Sequence, residues 1–136
     1  MVKIIMGLKG SGKTKQLIDL VHKAVDSEAG DVACIEKGKK LTYDIPYKVR
    51  LVDSSEYRLD SFEALKGFIC GLHAGNYDIT HIFIDSLLKI VNEDVGLKME
   101  EFIDWCENFS EREKVKFTIM ISADSAFASE GIRKYF

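Results

Sequence analysis

The sequence predicts an α/β domain with three layers, α/β/α, in which helices cover both faces of a five-stranded, mostly parallel sheet. Two observations support this prediction. Strand-type and helix-type patterns alternate along the chain, and several of the strand-type runs are almost continuously apolar, as is typical of buried parallel strands. The length of 136 residues suits one domain with its own core, which we expect to span residues 1–136.

The elements follow from local patterns. From residue 13 to about residue 27, apolar residues such as Leu17, Val21 and Ala24 recur at helical spacing and predict the first helix. Residues 125–136 are expected to form a short helix or turn. The runs predicted as strands are residues 2–6, 32–36, 48–53, 81–85 and 117–122.

Two further helices are predicted later in the chain. One begins near Asp60, where Asp60-Ser-Phe-Glu63 resembles a capping box, and ends around Gly75. The other spans about residues 97–112. Their apolar stripes predict core-facing residues, which are Phe62, Leu65, Phe68, Ile69 and Leu72 in the first, and Met99, Phe102, Ile103, Cys106 and Phe109 in the second.

Composition limits the function classes. The apolar fraction of 46% and charged fraction of 30% are ordinary for a globular protein. The net charge of −3 argues against general nucleic-acid binding. No apolar run approaches membrane-spanning length, and the chain begins with a core strand rather than a signal-peptide pattern, so we expect no membrane partner and a cytoplasmic location.

Cysteines and histidines show no metal-binding spacing. The three cysteines form no C-x-x-C pair, and their odd number suits a reducing compartment, so we expect them to be small core residues. The three histidines are expected to have structural roles. These residues are Cys34, Cys70, Cys106, His22, His73 and His81.

The most specific motif lies near the amino terminus. Residues 7–14 read Gly-Leu-Lys-Gly-Ser-Gly-Lys-Thr, which fits the phosphate-binding pattern G-x-x-x-x-G-K-[ST] between a predicted strand and a predicted helix. Glycines let several backbone N–H groups turn inward around an anion, and the following helix adds the positive end of its dipole. The residues predicted to contact the phosphates are Gly7, Leu8, Lys9, Gly10, Ser11, Gly12, Lys13, Thr14 and Lys15.

A second candidate lies where an apolar run, His81-Ile-Phe-Ile, ends at Asp85. The carboxyl ends of parallel strands form one edge of a sheet, so Asp85 is expected beside the glycine-rich loop. Its carboxylate and the Thr14 hydroxyl are predicted to hold Mg²⁺, while Lys13 acts as a cation on the β- and γ-phosphates.

These motifs, in this order, resemble the RecA-like branch of P-loop ATPases, which includes RecA, the circadian-clock ATPase KaiC and replicative helicases. Asp85-Ser86 followed by two leucines is similar to that branch's "apolar strand, Asp-Ser, apolar" motif, and Val32-Ala-Cys-Ile-Glu36 is similar to its second strand. The resemblance covers roughly residues 1–125. It implies ATP as the nucleotide and places the last strand between the loop strand and the Asp85 strand.

The resemblance also implies roles for individual residues. Glu36, on a strand beside the Asp85 strand, is the candidate general base alongside the catalytic cation Lys13. Ser122 or Asp124 is placed near the γ-phosphate. The basic cluster at residues 37–40, at the start of a polar connection that spans residues 37–47, could tether Glu36 or contact phosphate; a solvated loop is the simpler alternative.

Two departures shape the expected function. Many other P-loop ATPases have a glutamate directly after the Asp85 position, where this chain has Ser86, so hydrolysis is expected to use Glu36 or to be slow. The DNA-binding elements that follow the core of RecA-type recombinases are absent, so neither strand exchange nor helicase activity is expected.

We therefore expect a MgATP-binding domain with slow hydrolysis, which acts alone, in a homo-oligomer or with a protein partner. In an oligomer, Arg133 or Lys134 could complete a neighbouring site. One alternative is a non-catalytic nucleotide-dependent switch that orders residues 37–47 or the carboxyl-terminal tail. The other is a small-molecule or nucleoside kinase, although no arginine-rich lid is evident.

Overall fold

A single sheet of five parallel strands organises the computed structural model, which describes all residues, 1–136. The strand order is β1–β5–β4–β2–β3, and every neighbouring pair is parallel. The last strand therefore lies between the first strand and β4, and β2 lies beside β4, as expected. The strands are β1 (Val2–Gly7), β2 (Asp31–Glu36), β3 (Arg50–Asp53), β4 (Ile79–Ile84) and β5 (Lys116–Ser122).

Four α-helices and one short 3₁₀ turn connect the strands, and a second 3₁₀ turn and a fifth helix follow the last strand. The helices are α1 (Lys13–Ser27), α2 (Phe62–Gly75), α3 (Leu87–Val91), α4 (Leu97–Glu113) and α5 (Glu130–Arg133), and the turns are Ser54–Glu56 and Ser125–Phe127. The first three predicted helices are confirmed. The helix α3 was not predicted, because five residues are too few to show a helical period.

Helices pack on both faces of the sheet, because alternate residues of each strand face opposite sides. On one face, α2, α3 and α4 bury the larger hydrophobic cluster, which includes Phe102 and Phe117. On the other face, α1 packs with Leu41, Ile45 and Val49 from the β2–β3 connection. The predicted three-layer arrangement is consistent with this packing.

Local signals position α2 and α4. The helix α2 begins after Ser61, whose hydroxyl accepts a hydrogen bond from the Ala64 N–H at 3.0 Å, so the cap lies one residue later than the predicted box implies. The predicted stripe of α4 is fully buried. In the stripe of α2, Phe68 and Leu72 are only partly buried.

The cysteine prediction is partly wrong. Cys34 and Cys106 are buried, but Cys70 is exposed on α2. Cys70 directly follows Ile69, a core residue, and one step along a helix turns a side chain by about 100° away from the stripe. None of the helices combines the length and the apolar character that a membrane span requires.

His81 forms a polar cluster within the sheet. Its Nε2 lies 2.8 Å from the Thr118 hydroxyl, its Nδ1 lies 3.8 Å from the Glu28 carboxylate, and its ring stacks on Phe83. Burial lowers the pKa of His81 to about 4, although Glu28 opposes this shift. The neutral imidazole is therefore the form that the folded protein favours.

This cluster predicts a pH dependence of stability. Because the folded-state pKa of His81 is below its unfolded value, its contribution is present above about pH 6.5 and is lost as the pH falls towards 4. We expect the contribution of His81 to the free energy of unfolding to decrease by about 2 kcal/mol between about pH 7 and about pH 5. Urea titrations of the wild type and His81→Gln measure it, and equal pH slopes for the two proteins would contradict the assignment.

Candidate functional site

The glycine-rich loop joins the carboxyl end of β1 to the amino end of α1. Gly10 and Gly12 both have φ of +85°, a region that side chains with a Cβ rarely adopt. The Ser11 N–H donates to the Leu8 carbonyl at 3.1 Å, and the Gln16 N–H donates to the Gly12 carbonyl at 3.1 Å, which starts the helix. Gly12 thus ends the loop and caps α1 without a side chain.

Lys13 is half-buried and folds back over this loop. Its Nζ donates to the Leu8 carbonyl at 2.8 Å and lies 3.3 Å from the Ser11 hydroxyl. These oxygens are neutral acceptors, so an anionic oxygen placed at the loop would be a stronger partner for the ammonium group.

A cavity of about 650 Å³ opens beside the loop, at the edge of the sheet where the parallel strands end. The loop and the start of α1 contribute Lys9, Gly10, Gly12, Lys13 and Thr14. The facing lining residues are Lys40, Asp85, Ser86, Leu88, Lys89 and Ser122. The cavity is therefore polar and rich in lysine, with Leu88 as its single hydrophobic lining residue.

The structure brings most of the predicted site residues together. Asp85 and Ser122 line the same cavity as the loop, although they follow different strands. Among the remaining loop residues, Gly7 accepts a hydrogen bond through its carbonyl from the Ala123 N–H at 3.1 Å. The predicted residues outside the lining are Gly7, Leu8, Ser11, Lys15 and Glu36.

Asp85 is held at the end of β4. Its N–H donates to the Ile35 carbonyl on β2 at 2.9 Å, and the Ser86 hydroxyl lies 3.4 Å from its Oδ1. Burial raises the pKa of Asp85, while the Ser86 hydroxyl and the ammonium groups of Lys40, Lys13 and Lys89 oppose that shift. The carboxylate therefore lies among three cations.

Glu36 is buried and does not line the cavity. Only 1% of this residue is exposed, and its Oε2 accepts a hydrogen bond from the Leu41 N–H at 3.1 Å. Burial raises the pKa of Glu36, and the nearby Asp85 and Asp53 carboxylates raise it further. The predicted base is therefore buried and is not one of the lining residues.

The basic cluster at residues 37–40 is tethered through its backbone, and one of its side chains lines the cavity. The backbone of this connection is tethered, because the Gly38 N–H donates to Asp53 at 2.9 Å and the Leu41 N–H donates to Glu36. The Lys40 side chain, in contrast, lines the cavity. Lys39 pairs instead with Glu56 outside the site.

Sequence reasoning missed Ser86, Leu88 and Lys89 as lining residues. Ser86 has φ of +53°, and this left-handed turn starts α3 directly after Asp85. The apolar spacing of Leu87, Ile90 and Val91 was a weak signal for a helix whose other face carries Lys89. Lys40 lowers the pKa of Lys89, because their ammonium groups lie close together.

The cavity offers few oxygen ligands, so it suits a hard cation that takes most of its ligands from water and from a bound phosphate. No group of three or more His, Cys, Asp or Glu side chains could hold a metal ion. The Asp85 carboxylate and the Thr14 hydroxyl are two oxygen donors in one cavity. Mg²⁺ keeps several waters and is usually bound through one or two carboxylates and substrate phosphates, so these residues fit it.

The cations near the carboxyl terminus are used within the chain. Arg133 donates from Nε to the Ala128 carbonyl and from Nη2 to the Ser125 carbonyl, each at 3.0 Å. Lys134 lies 3.8 Å from Asp104. Neither residue lines the cavity.

A scan against protein-family models gives no match to this chain, and a search of curated proteins also gives none.

The loop geometry predicts an asymmetric response to alanine. A Cβ at Gly12 meets nothing within 4 Å, so Gly12→Ala introduces backbone strain at φ of +85° without a clash. We expect a loss of about 1–2 kcal/mol in the free energy of unfolding. Gly71→Ala is the matched control, because Gly71 also has open space but lies inside α2, where alanine should stabilise by about 0.5–1 kcal/mol. Chemical denaturation compares the two, and a Gly12→Ala protein as stable as the wild type would contradict the strained conformation.

Proposed function

We propose that this chain is a small P-loop nucleotide-binding domain that binds a magnesium nucleoside triphosphate and hydrolyses it slowly. The observation that supports the proposal most is the meeting of the Gly7–Thr14 loop with Asp85 in one lysine-rich cavity. Residues so far apart in the chain share this cavity because the parallel strands end at a common edge. ATP is the nucleotide implied by the resemblance to RecA-like ATPases.

Each residue of the site has its own role in the proposed binding of the nucleotide. The backbone N–H groups of residues 7–14 hold the phosphate chain, and Lys13 exchanges its bond to the Leu8 carbonyl for a phosphate oxygen. Thr14 and Asp85 would hold Mg²⁺, which neutralises phosphate charge when bound. Ser122 lies at the end of β5, on the same cavity, where its hydroxyl can contact a phosphate oxygen.

The position of Glu36 explains why slow turnover is proposed. To orient a water molecule, the Glu36 carboxylate must become accessible from the cavity. In this structure it is buried and hydrogen-bonded to the Leu41 N–H. Positioned carboxylates that act on water contribute about 10²–10⁴-fold in rate, so a carboxylate that reaches the cavity only part of the time supports hydrolysis at a correspondingly reduced rate.

The same geometry favours a second candidate function, a nucleotide-dependent switch without significant turnover. Lys40 lines the cavity and the next residue, Leu41, holds Glu36, so both belong to the β2–β3 connection. The outer side of this connection has two tyrosines, Tyr43 and Tyr47, that are 98% and 100% exposed. A nucleotide that repositions Lys40 would alter a surface that a protein partner could contact.

Nucleotide binding is tested by removing the loop lysine. Lys13→Ala should weaken binding of MgATP by at least about thirtyfold, because it deletes a charge-assisted hydrogen bond to phosphate. Isothermal titration calorimetry measures this, with Lys23→Ala on the exposed surface of α1 as the matched control. Equal affinities of Lys13→Ala and wild type would overturn the assignment of the loop.

Hydrolysis is tested separately at Glu36. Glu36→Gln keeps an acceptor for the Leu41 N–H, so we expect the fold and the MgATP affinity to be preserved while phosphate release slows by about 10²-fold. A single-turnover phosphate-release assay measures the rate. If the wild type binds MgATP and releases no phosphate, the switch replaces the hydrolase. If both proteins release phosphate equally fast, Glu36 is not the base.

A further inference from the structure

The cavity contains more cations than the loop motif requires. Besides Lys9 and Lys13, Lys40 comes from the β2–β3 connection and Lys89 comes from α3. These two lysines approach from separate elements, yet they line one cavity of about 650 Å³ with a single carboxylate, Asp85. This arrangement is unfavourable in the absence of an anion, because like charges that converge repel each other.

Lys40 and Lys89 line the cavity together with Asp85. Lys40 follows β2 and Lys89 follows Asp85 after β4, and these two strands are neighbours, so both lysines line the cavity from the side on which Asp85 lies. Asp85 and Lys13 lie where the proposed function places the magnesium ion and the β- and γ-phosphates. Lys40 and Lys89 are therefore on the side of the cavity that faces the end of the phosphate chain.

The proximity of the two lysines supports this reading. Lys40 is the main cause that lowers the pKa of Lys89, and Lys37 and Lys9 add to the effect. A phosphate group that carries two negative charges could pair with both ammonium groups at once and so remove this repulsion. A nucleoside diphosphate, whose phosphate chain is one group shorter, would leave the repulsion between Lys40 and Lys89 uncompensated.

We propose that Lys40 and Lys89 together bind the terminal phosphate of the nucleotide, so that this chain distinguishes a triphosphate from a diphosphate with cations of its own. The inference rests on the proposed function, which it deepens. It requires no cation from a neighbouring subunit, and Arg133 and Lys134 are bonded within their own chain. It also predicts that affinity depends on the number of phosphate groups rather than on the base, because the cavity lining is lysine-rich and has one hydrophobic residue.

The experiment compares ligands that differ by one phosphate. Calorimetric titrations with MgATP, MgADP and inorganic triphosphate are made on the full chain, at about 0.1 M ionic strength, where charge pairs in a cavity are only partly screened. We expect Lys40→Gln and Lys89→Gln each to weaken MgATP and triphosphate binding by about tenfold, and MgADP binding by less than about twofold. Both lysines are exposed, so these variants should keep the fold, which thermal unfolding verifies.

Lys39→Gln is the matched control for Lys40→Gln. It removes the same charge from the neighbouring position, but Lys39 pairs with Glu56 and does not line the cavity, so MgATP affinity should change by less than about twofold.

The possible outcomes distinguish a failure of this inference from a failure of the proposed function on which it rests. Equal losses for MgATP and MgADP would overturn the terminal-phosphate assignment, as would unchanged MgATP binding in both variants or an equal loss in Lys39→Gln. In each of these cases the nucleotide-binding function stands. A wild-type chain that binds none of the three ligands would overturn both.

Discussion

The common direction of the five strands is the constraint on which the rest of this structure depends. Because all neighbours are parallel, every strand ends at the same edge of the sheet. The ends of β1, β4, β5 and β2 thus place the glycine-rich loop, Asp85, Ser122 and Glu36 in one region. Parallel strands also require crossover connections, and three of the four crossovers here contain helices that bury the faces of the sheet. The site and the core are products of the same topology.

Charge is distributed unevenly over this scaffold. The chain has a net charge of −3, yet its cavity is lined by four lysines and one aspartate. Such a concentration of like charge lowers the stability of the folded state, and a cleft lined by one sign of charge also focuses the field on a ligand of opposite sign. The apolar clusters on both faces of the sheet supply the stability that a charged cavity lacks. A polyanion is the ligand class that best compensates this arrangement.

The sequence predicted the parts of the structure that depend on local pattern. The first helix, the glycine-rich loop and the parallel sheet follow from spacing and residue type, and Asp85 follows from the rule that sites lie at strand ends. Lys89 could not be predicted in this way, because it reaches the cavity only through a left-handed turn at Ser86, a conformation that serine rarely adopts. Cys70 was misassigned because a helical stripe defines its edge poorly. The burial of Glu36 depends on where a loop packs, which no local pattern encodes.

The β2–β3 connection relates the two proposed functions. Lys40 and Leu41 are adjacent, so a shift of the Lys40 backbone towards bound phosphate would move the N–H that donates to Glu36. If that displacement breaks the Leu41–Glu36 hydrogen bond, the carboxylate gains access to the cavity and hydrolysis can follow. If the bond survives, the same shift is transmitted only to the exposed surface around Tyr43. In this proposal, hydrolase and switch would therefore differ in one hydrogen bond of the connection, and the strength of that bond relative to the attraction of Lys40 to phosphate would determine which function the site has.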